Sequence, residues 1–408
     1  MAEAAEPVRP SRQGRPRPPR NARTADADAT LPPQPALTIP PPTPPGRRNL
    51  RGLPKAHLHL HFTGAMRPQT MVELAREQGV RLPPHLLDLD PLRVPADARG
   101  WFRFQRSYDA ARALVRSEAV MRRIVREAAE DEAAEGSVHL EMQVDPTSYA
   151  PWVGGLTPAL EIVLDEAARA FEATGVHVGI VVAASRIKHP LDARTLARLA
   201  ARYAGQDPGR VVGFGLSNDE RVGSTAEFST AFNIARDAGL ASVPHGGELL
   251  GPDSVREVVA ALSPKRLGHG VRATEDPDLL DRLIQDGIAF EVCPTSNVHL
   301  GVYSDFGHVP LGLLMEHGAT VALGADDPLL FHSRLLAQYA DARDVDGLSD
   351  AQLAGLARQS IEASLVAAPL KRRWRAQVDA WLAGAADAHA AAGVAPRSPR
   401  AGAGDETP

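Results

Sequence analysis

Residues 57–64 read HLHLHFTG, with a histidine at every second position before a small residue and a glycine. In a β-strand, alternate side chains share one face and lie about 7 Å apart along the chain. The imidazoles of His57, His59 and His61 therefore point the same way if this stretch is a strand. Buried imidazoles need partners, so a strand of this kind predicts a functional group at its end.

Further short apolar runs, rich in Val, Ile and Leu, follow this first one, and Gly or Pro marks most of their ends. The eight predicted strands are residues 56–62, 138–145, 177–185, 211–217, 241–248, 266–270, 289–296 and 320–327. Helical patterns separate most of them, at residues 157–174, 195–204, 224–238, 254–262 and 277–287. This rhythm is typical of an α/β fold with a parallel sheet.

Eight β/α units over about 340 residues predict a (β/α)8 TIM barrel, whose functional groups gather at the C-terminal ends of the strands. The main insertion, between the first and second strands, is residues 65–136, and we interpret it as a candidate lid. It contains Phe104 and Tyr108, which share a helix face at this spacing. Ordinary core packing and the lining of a pocket mouth are both compatible with that pair.

The barrel domain is predicted over residues 49–385, between two arms. Residues 1–48 hold about a third of the chain's 35 prolines, interleaved with arginines and without apolar periodicity, which predicts a disordered arm. It is either an uninvolved solvated tail or a segment that touches an acidic partner. Residues 386–408, rich in Ala, Gly and Pro, are predicted to be a disordered tail.

The 408 residues carry a net charge of −5, and the sequence pI is about 6.3. These values favour a small-molecule partner over nucleic acid or an anionic membrane, and they leave the oligomeric state open. Cys293 is the only cysteine, which excludes an intrachain disulfide and a cysteine-rich zinc module. With no signal-peptide pattern and no long apolar run, the sequence predicts a cytoplasmic protein.

Ionisable side chains recur at the ends of the predicted strands, where packing alone does not explain them. They are His59 with His61, His245 with Glu248, His269, and Asp326 with Asp327. Taken alone, each of these histidines is more typical of a buried core residue whose hydrogen bonds are made within the protein. Because all of them fall at the same end of a barrel, the set predicts a metal site, and three histidines with one carboxylate suit zinc.

A zinc ion lowers the pKa of the water that it binds towards about 7, so the site needs a group to receive the proton. His269, between two glycines, is the candidate for that base or for steering the water electrostatically. Glu248 is the candidate general acid if the site raises its pKa. A surface charge at a helix start is the alternative interpretation of Glu248.

Taken together, these motifs resemble the adenosine deaminase family. They are PKAHLHLHFTGA at residues 54–65, HGGE at 245–248, GHG at 268–270, EVCPTSN at 291–297 and GADDP at 324–328. The resemblance implies that His59, His61, His245 and Asp326 hold one Zn²⁺ per chain, and that His269 acts on its water. It further implies that Glu248 protonates purine N1, that Asp327 contacts N7, and that hydrolysis at C6 releases ammonia.

Two departures from the family pattern bear on the substrate. Thr63 stands where adenosine deaminases usually carry the Asp that binds the ribose 5′-hydroxyl, and Asn218 stands where a glycine approaches the purine. The combination looks most like the actinobacterial branch that deaminates 6-aminodeoxyfutalosine in menaquinone synthesis. That nucleoside carries a ketone-linked carboxyphenyl group at its 5′ end, and Arg103, Arg106 and Arg186 are the candidates for its cationic partner.

Adenosine itself is the alternative substrate. Two other classes stay open at this point: a non-catalytic binding protein on the same barrel, and a metal hydrolase that cleaves an amide or phosphoester bond. The third histidine of the opening stretch, His57, lies one layer deeper in the predicted barrel than the ligands. The family usually carries Glu at that position, so a supporting hydrogen bond is favoured for His57 over direct metal ligation.

Overall fold

The computed structural model describes residues 47–88 and 90–384. Most of both predicted arms lies outside these described residues. The strands are β1 Lys55–His61, β2 Ser137–Val144, β3 His177–Ser185, β4 Val211–Ser217, β5 Ala241–Ser242, β6 His245–Gly246, β7 Arg266–His269, β8 Ala289–Val292 and β9 Val321–Leu323. No helix in the described ranges is long and apolar enough to cross a membrane.

Helices alternate with these strands along the chain. The α-helices are α1 Pro68–Glu77, α2 Ala98–Arg112, α3 Glu118–Glu135, α4 Ala150–Val153, α5 Leu156–Thr174, α6 Pro190–Ala201, α7 Ser229–Asp237, α8 Pro252–Leu262, α9 Pro277–Gln285, α10 Pro294–His299, α11 Leu311–Glu316, α12 Pro328–Phe331, α13 Leu335–Asp344, α14 Asp350–Ala363 and α15 Ala368–Leu382. Short 3₁₀ helices occupy Leu50–Gly52, Pro84–Leu86, Pro146–Ser148, Thr225–Phe228, Val271–Glu275 and Phe306–His308. The five predicted helical patterns correspond to α5, α6, α7 with the 3₁₀ turn before it, α8 and α9.

All strand pairs are parallel, in the orders β1-β2-β3-β4-β5 and β6-β7-β8-β9. The predicted fifth strand, residues 241–248, is wrong in one respect, because it divides into β5 and β6. Pro244 lies between the two pieces, and it has no backbone N–H to donate to a neighbouring strand.

Backbone hydrogen bonds connect the two sheets at both junctions. Lys265 N donates to Ser242 O over 2.8 Å, and His61 N donates to Asp326 O over 3.0 Å. The order of the strands therefore runs around a ring, with helices outside it, and the predicted TIM barrel is confirmed. β3 is buried along its whole length, as expected for a parallel strand covered on both faces.

The insertion after β1 contributes α1, α2 and α3. Asp97 caps α2 by accepting a hydrogen bond from Gly100 N over 2.7 Å, and Gly136 ends α3 in a left-handed conformation with φ 83°. α3 packs against α5 and β2 as the barrel's first outer helix. α2 instead contributes side chains to the cleft described below.

Candidate active site

A cleft opens where the strands end, with about 720 Å³ of empty space including its solvent-filled mouth. The lining residues are His61, Phe62, Trp101, Phe104, Gln105, Tyr108, Arg112, Gln143, Asp145, Ser148, Tyr149, Ala183, Ser185, Ser217, Asn218, His245, Glu248, Asp326 and Asp327. The Phe104 and Tyr108 rings lie 6.3 Å apart and both line the cleft, although Phe104 is also almost fully buried.

The floor of the cleft holds the predicted metal ligands close together. His61 Nε2 lies 3.3 Å from His245 Nε2 and 3.1 Å from Asp326 Oδ1, and His59 Nε2 lies 3.3 Å from the same oxygen. His59 Nε2 is buried without a hydrogen-bond partner. Imidazole nitrogens that converge on a carboxylate fit a divalent ion, and this donor set suits zinc.

His269 lies beside this cluster. Single ligand atoms of His59, His245, His269 and Asp326 all fall within 4.8 Å of one another. His269 Nε2 has no hydrogen-bond partner, while Asn297 Nδ2 lies 3.3 Å from His269 Nδ1. Burial lowers the pKa of His269 to about 3, so the ring is neutral.

Three cleft or cluster residues that are not glycine have left-handed backbones: Asn218 with φ 80°, His269 with φ 62° and Asp326 with φ 61°. Such conformations cost free energy and occur where the surroundings hold a residue for its function. The packing around His269 and Asp326 therefore holds them in these conformations.

Glu248 lies in the turn after β6, and its carboxyl reaches the cluster. Its Oε1 is 3.7 Å from His269 Nε2. The turn is fixed by Glu220, whose Oε2 accepts from the backbone N–H groups of Glu248, Leu249 and Leu250 over 3.2, 2.6 and 2.8 Å. Burial, reinforced by the charge of Asp326, raises the pKa of the Glu248 carboxyl well above its usual range.

Asp327 follows the ligand carboxylate and is also buried. Its Oδ1 has no hydrogen-bond partner. Burial and the adjacent Asp326 raise the pKa of Asp327 well above its usual range. Gly64 makes room for this carboxyl, because a Cβ at position 64 would lie 1.9 Å from Asp327 Oδ1 and 2.7 Å from Asp327 Cα.

The two residues that depart from the family pattern have different environments. Asn218 lines the cleft, and its Oδ1 accepts from Asp219 N over 2.8 Å. Thr63 is fully buried behind the lining, where its hydroxyl shares a 2.7 Å hydrogen bond with Tyr149 Oη. Tyr149, not Thr63, is therefore the side chain of this pair that faces the cleft.

The three arginines predicted to meet a substrate carboxylate are not among the lining residues. Arg186 is buried and donates to His245 O over 2.9 Å and to Thr225 Oγ1 over 2.8 Å. Arg106 lies over the exposed Phe102 ring, with its guanidinium carbon 5.8 Å from the ring centre. The arginine that lines the cleft is Arg112, at the end of α2.

Several supporting residues had no predicted role. Besides Glu220, they include Glu291, whose Oε2 lies 2.7 Å from His59 Nδ1, and Ser296, whose hydroxyl donates to Asp326 Oδ2 over 2.6 Å. The signal that could have found them was their position at or just after β4 and β8, level with the other strand ends. Glu291 and Ser296 belong to the motif at residues 291–297, but no spacing rule pairs either of them, or Glu220, with its partner.

Comparison with known proteins agrees with this geometry. A family model described as "Adenosine deaminase" matches residues 54–381. A putative adenosine/adenine deaminase of Streptomyces coelicolor is 57% identical over 340 residues, which are 82% of this chain and 98% of that protein. An adenine deaminase of Rhizobium leguminosarum is 35% identical over 318 residues, covering 77% of this chain and 95% of the relative.

Solved structures of deaminases and related hydrolases share this fold. The adenine deaminase of Arthrobacter aurescens superposes with a TM-score of 0.74 at 26% identity, over 81% of this chain and 99% of that one. An amidohydrolase of Burkholderia ambifaria, solved with bound zinc, has a TM-score of 0.72 at 25% identity, over 84% and 94% of the two chains. The chain belongs to the adenosine deaminase family of zinc-dependent hydrolases.

Proposed function

We propose that this enzyme hydrolyses the C6 amino group of an adenine nucleoside with a modified 5′ end, and that 6-aminodeoxyfutalosine is its substrate. Futalosine and ammonia are then the products, in a step of menaquinone synthesis. The observation that carries the deamination is the grouping of Glu248, His269 and Asp327 around the histidine and aspartate cluster. Each of the three has a role that purine chemistry requires.

His59, His61, His245 and Asp326 would hold the zinc ion. A zinc ion bound there supplies Lewis-acid activation of water near neutral pH. His269 Nε2, which has no partner of its own, receives a proton from the attacking water. The oxygen of that water bonds to C6 of the purine.

The Glu248 carboxyl donates its proton to N1, which makes C6 more electrophilic. Asp327, whose Oδ1 has no protein partner, binds at N7. N1 and N7 lie on either side of the C6 amino group, so the two carboxyls together recognise a 6-aminopurine. The protonated His269 then gives its proton to the C6 nitrogen, and the C6–N bond breaks as the C6–O bond becomes a carbonyl. The hydroxyl proton passes to the Glu248 carboxylate, and the nitrogen leaves as ammonia.

The substrate's 5′ end is the finer part of the proposal. Its support is the lack of a carboxylate at position 63, where Thr63 and Tyr149 hydrogen-bond to each other. Trp101, Phe104 and Tyr108 form an aromatic wall along the cleft, and Arg112 stands on the same helix. Aromatic surface beside a cation suits an aryl carboxylate better than it suits a free 5′-hydroxyl.

A second candidate is the deamination of adenosine or adenine. The relatives named above support it, since one is called an adenosine/adenine deaminase and another an adenine deaminase. The chemical centre is the same for all three substrates. Adenosine and 6-aminodeoxyfutalosine differ at the 5′ position, and adenine lacks the sugar altogether.

Competition kinetics test the proposal. We expect kcat/KM for 6-aminodeoxyfutalosine to exceed the values for adenosine and adenine by at least about 100-fold, equivalent to about 2.7 kcal/mol. Equal or higher values for adenosine or adenine would overturn the substrate while leaving the deamination intact. No change in the purine ultraviolet absorption with any 6-aminopurine would contradict the function itself.

A further inference from the structure

His57 is buried within the barrel, one strand layer below the ligand cluster, and its two ring nitrogens face different elements. Nδ1 lies 2.7 Å from Glu132 Oε1 on α3. Nε2 lies 3.0 Å from Ala325 N and also 3.0 Å from His59 O. The ring therefore connects an outer helix to the segment that follows β9.

The two neighbours of His57 Nε2 require opposite protonation of that nitrogen. Ala325 N–H can donate to this nitrogen only when it carries no proton, whereas the His59 carbonyl can accept only when it does. A neutral imidazole has one ring proton, so its tautomer selects one of these two bonds.

Glu132 makes the selection. The carboxyl is fully buried, and Arg334 Nη2 lies 3.5 Å from the same Oε1 that faces His57, which favours the ionised form. A carboxylate can only accept hydrogen bonds, so the proton of His57 must sit on Nδ1. Nε2 is then bare and accepts from Ala325 N–H.

Ala325 is the residue before the two site aspartates. Asp326 N donates to His59 O over 3.1 Å, and Asp326 O accepts from His61 N over 3.0 Å, so β1 already holds the segment at two points. Asp326 has a left-handed backbone with φ 61°, which needs support from its surroundings. The bond from Ala325 N to His57 is a third attachment, immediately before this strained residue.

We propose that His57 is a positioning residue for the Asp326–Asp327 pair, and that Glu132 keeps it in the Nδ1–H tautomer that holds Ala325. The expected effect on the metal and the substrate rests on the roles proposed above for the two aspartates. The tautomer and the Ala325 bond do not rest on those roles. A failure of the deaminase function would therefore leave this proposal separately testable.

The first test uses the wild-type protein. Imidazole ¹⁵N chemical shifts distinguish a protonated from a bare ring nitrogen, and the His57 signals are assigned by their loss in His57→Gln. We expect a protonated Nδ1 and a bare Nε2. A protonated Nε2 in the wild-type protein would overturn the proposal, whatever any variant does.

The second test is Glu132→Gln, with Glu127→Gln as the matched control. Glu127 is a buried acid on the same helix, and its carboxylate bonds Thr70 and Arg123, neither of which belongs to β1. A carboxamide can donate as well as accept, so it no longer dictates the tautomer of His57. We expect mixed tautomers in Glu132→Gln and about 10-fold faster hydrogen exchange at the Ala325 amide.

Zinc affinity, measured by chelator competition, should fall about 10-fold in Glu132→Gln, the lower end of the range for residues that orient metal ligands. In Glu127→Gln the tautomer, the Ala325 exchange and the zinc affinity should match the wild type. If Glu132→Gln keeps the Nδ1–H tautomer and the wild-type exchange at Ala325, Glu132 does not select the tautomer. Equal effects in both variants would indicate a general loss of packing and would also contradict the proposal.

Discussion

His59 Nδ1 lies 2.7 Å from Glu291 Oε2, so the carboxylate faces one nitrogen of the ring while the other nitrogen points into the ligand cluster. Arg266 holds the second oxygen of Glu291, with Nε donating to Oε1 over 2.5 Å. Arg266 also pairs with Glu141 from β2. A buried layer of alternating charges thus lies beneath the metal site and fixes the orientation of His59.

Glu291→Gln tests this support. Because the amide cannot provide a charged acceptor for His59 Nδ1–H, we expect zinc affinity to fall by about 10- to 100-fold. Chelator competition measures the change. Glu166→Gln, a buried acid on α5 that pairs with Arg122 and Arg126, is the control and should keep wild-type affinity. Unchanged affinity in Glu291→Gln would show that His59 is oriented by its packing alone.

Gly64→Ala should damage the site through sterics. The added Cβ would lie 2.7 Å from Asp327 Cα, a backbone atom that cannot move without moving Asp326. We expect a loss of about 1–3 kcal/mol of stability from overpacking and a fall in kcat/KM of at least about 100-fold. Denaturant unfolding and steady-state kinetics measure the two effects.

Gly355→Ala is the control for this substitution, because a Cβ there meets no atom within 4 Å and the residue lies in α14. It should raise stability by about 0.5–1 kcal/mol, since alanine is the better helix former. Wild-type kinetics in Gly64→Ala would mean that the position of Asp327 is unimportant for turnover.

The positions of β1 and most other strands followed from apolar runs between glycines and prolines, because burial on both faces of a parallel strand leaves a strong local pattern. The ligand histidines and aspartates could be grouped for a related reason, since a barrel brings all strand ends to one face. The predicted strand over residues 241–248 ran through Pro244, which lacks the backbone N–H that a continuous central strand needs.

The supporting groups could not be predicted because their partners are distant in sequence. Glu220 and Glu132 each contact a segment from another part of the barrel, and only the tertiary structure defines those pairs. Arg186 was misjudged for the same reason, since its position after β3 says nothing about whether the side chain turns outwards or towards His245. The cleft arginine, Arg112, depends on how α2 packs over the rim.

Stability should depend on pH through Asp341 on α13. Burial and the nearby Asp344 and Asp346 raise its pKa to about 6, above the value of about 3.9 in the unfolded chain. Below about pH 4 the Asp341 carboxyl is protonated in both the folded and the unfolded chain, so it does not lower the free energy of unfolding. As the pH rises to 6, the unfolded chain ionises first, so the folded state loses stability over this interval.

Asp341→Asn removes this loss. Since Asp341 is only partly buried, we discount the full shift and expect a gain of about 1 kcal/mol at pH 7.5 and none at pH 4. Urea unfolding at the two pH values measures the difference, and kinetics should be unchanged. A gain that is equal at both pH values would show that the effect does not come from the titration of Asp341.

Arg112→Met tests the proposed substrate through a residue away from the chemical centre. Arg112 lines the cleft, its guanidinium pairs with Asp109 over 2.8 Å, and 32% of its side chain is exposed, so a ligand carboxylate can reach it. A charge-assisted hydrogen bond contributes about 1.5–3 kcal/mol. We therefore expect kcat/KM for 6-aminodeoxyfutalosine to fall by about 10- to 100-fold, chiefly through KM. The kcat/KM for adenosine, which has no carboxylate, should change by less than about twofold.

Arg106→Met is the control, because Arg106 lies over Phe102 outside the cleft lining, and the substitution should leave kcat/KM for both substrates unchanged. An equal loss for both substrates would mean that Arg112 shapes the cleft, and the assignment of an anionic 5′ group to this position would be wrong.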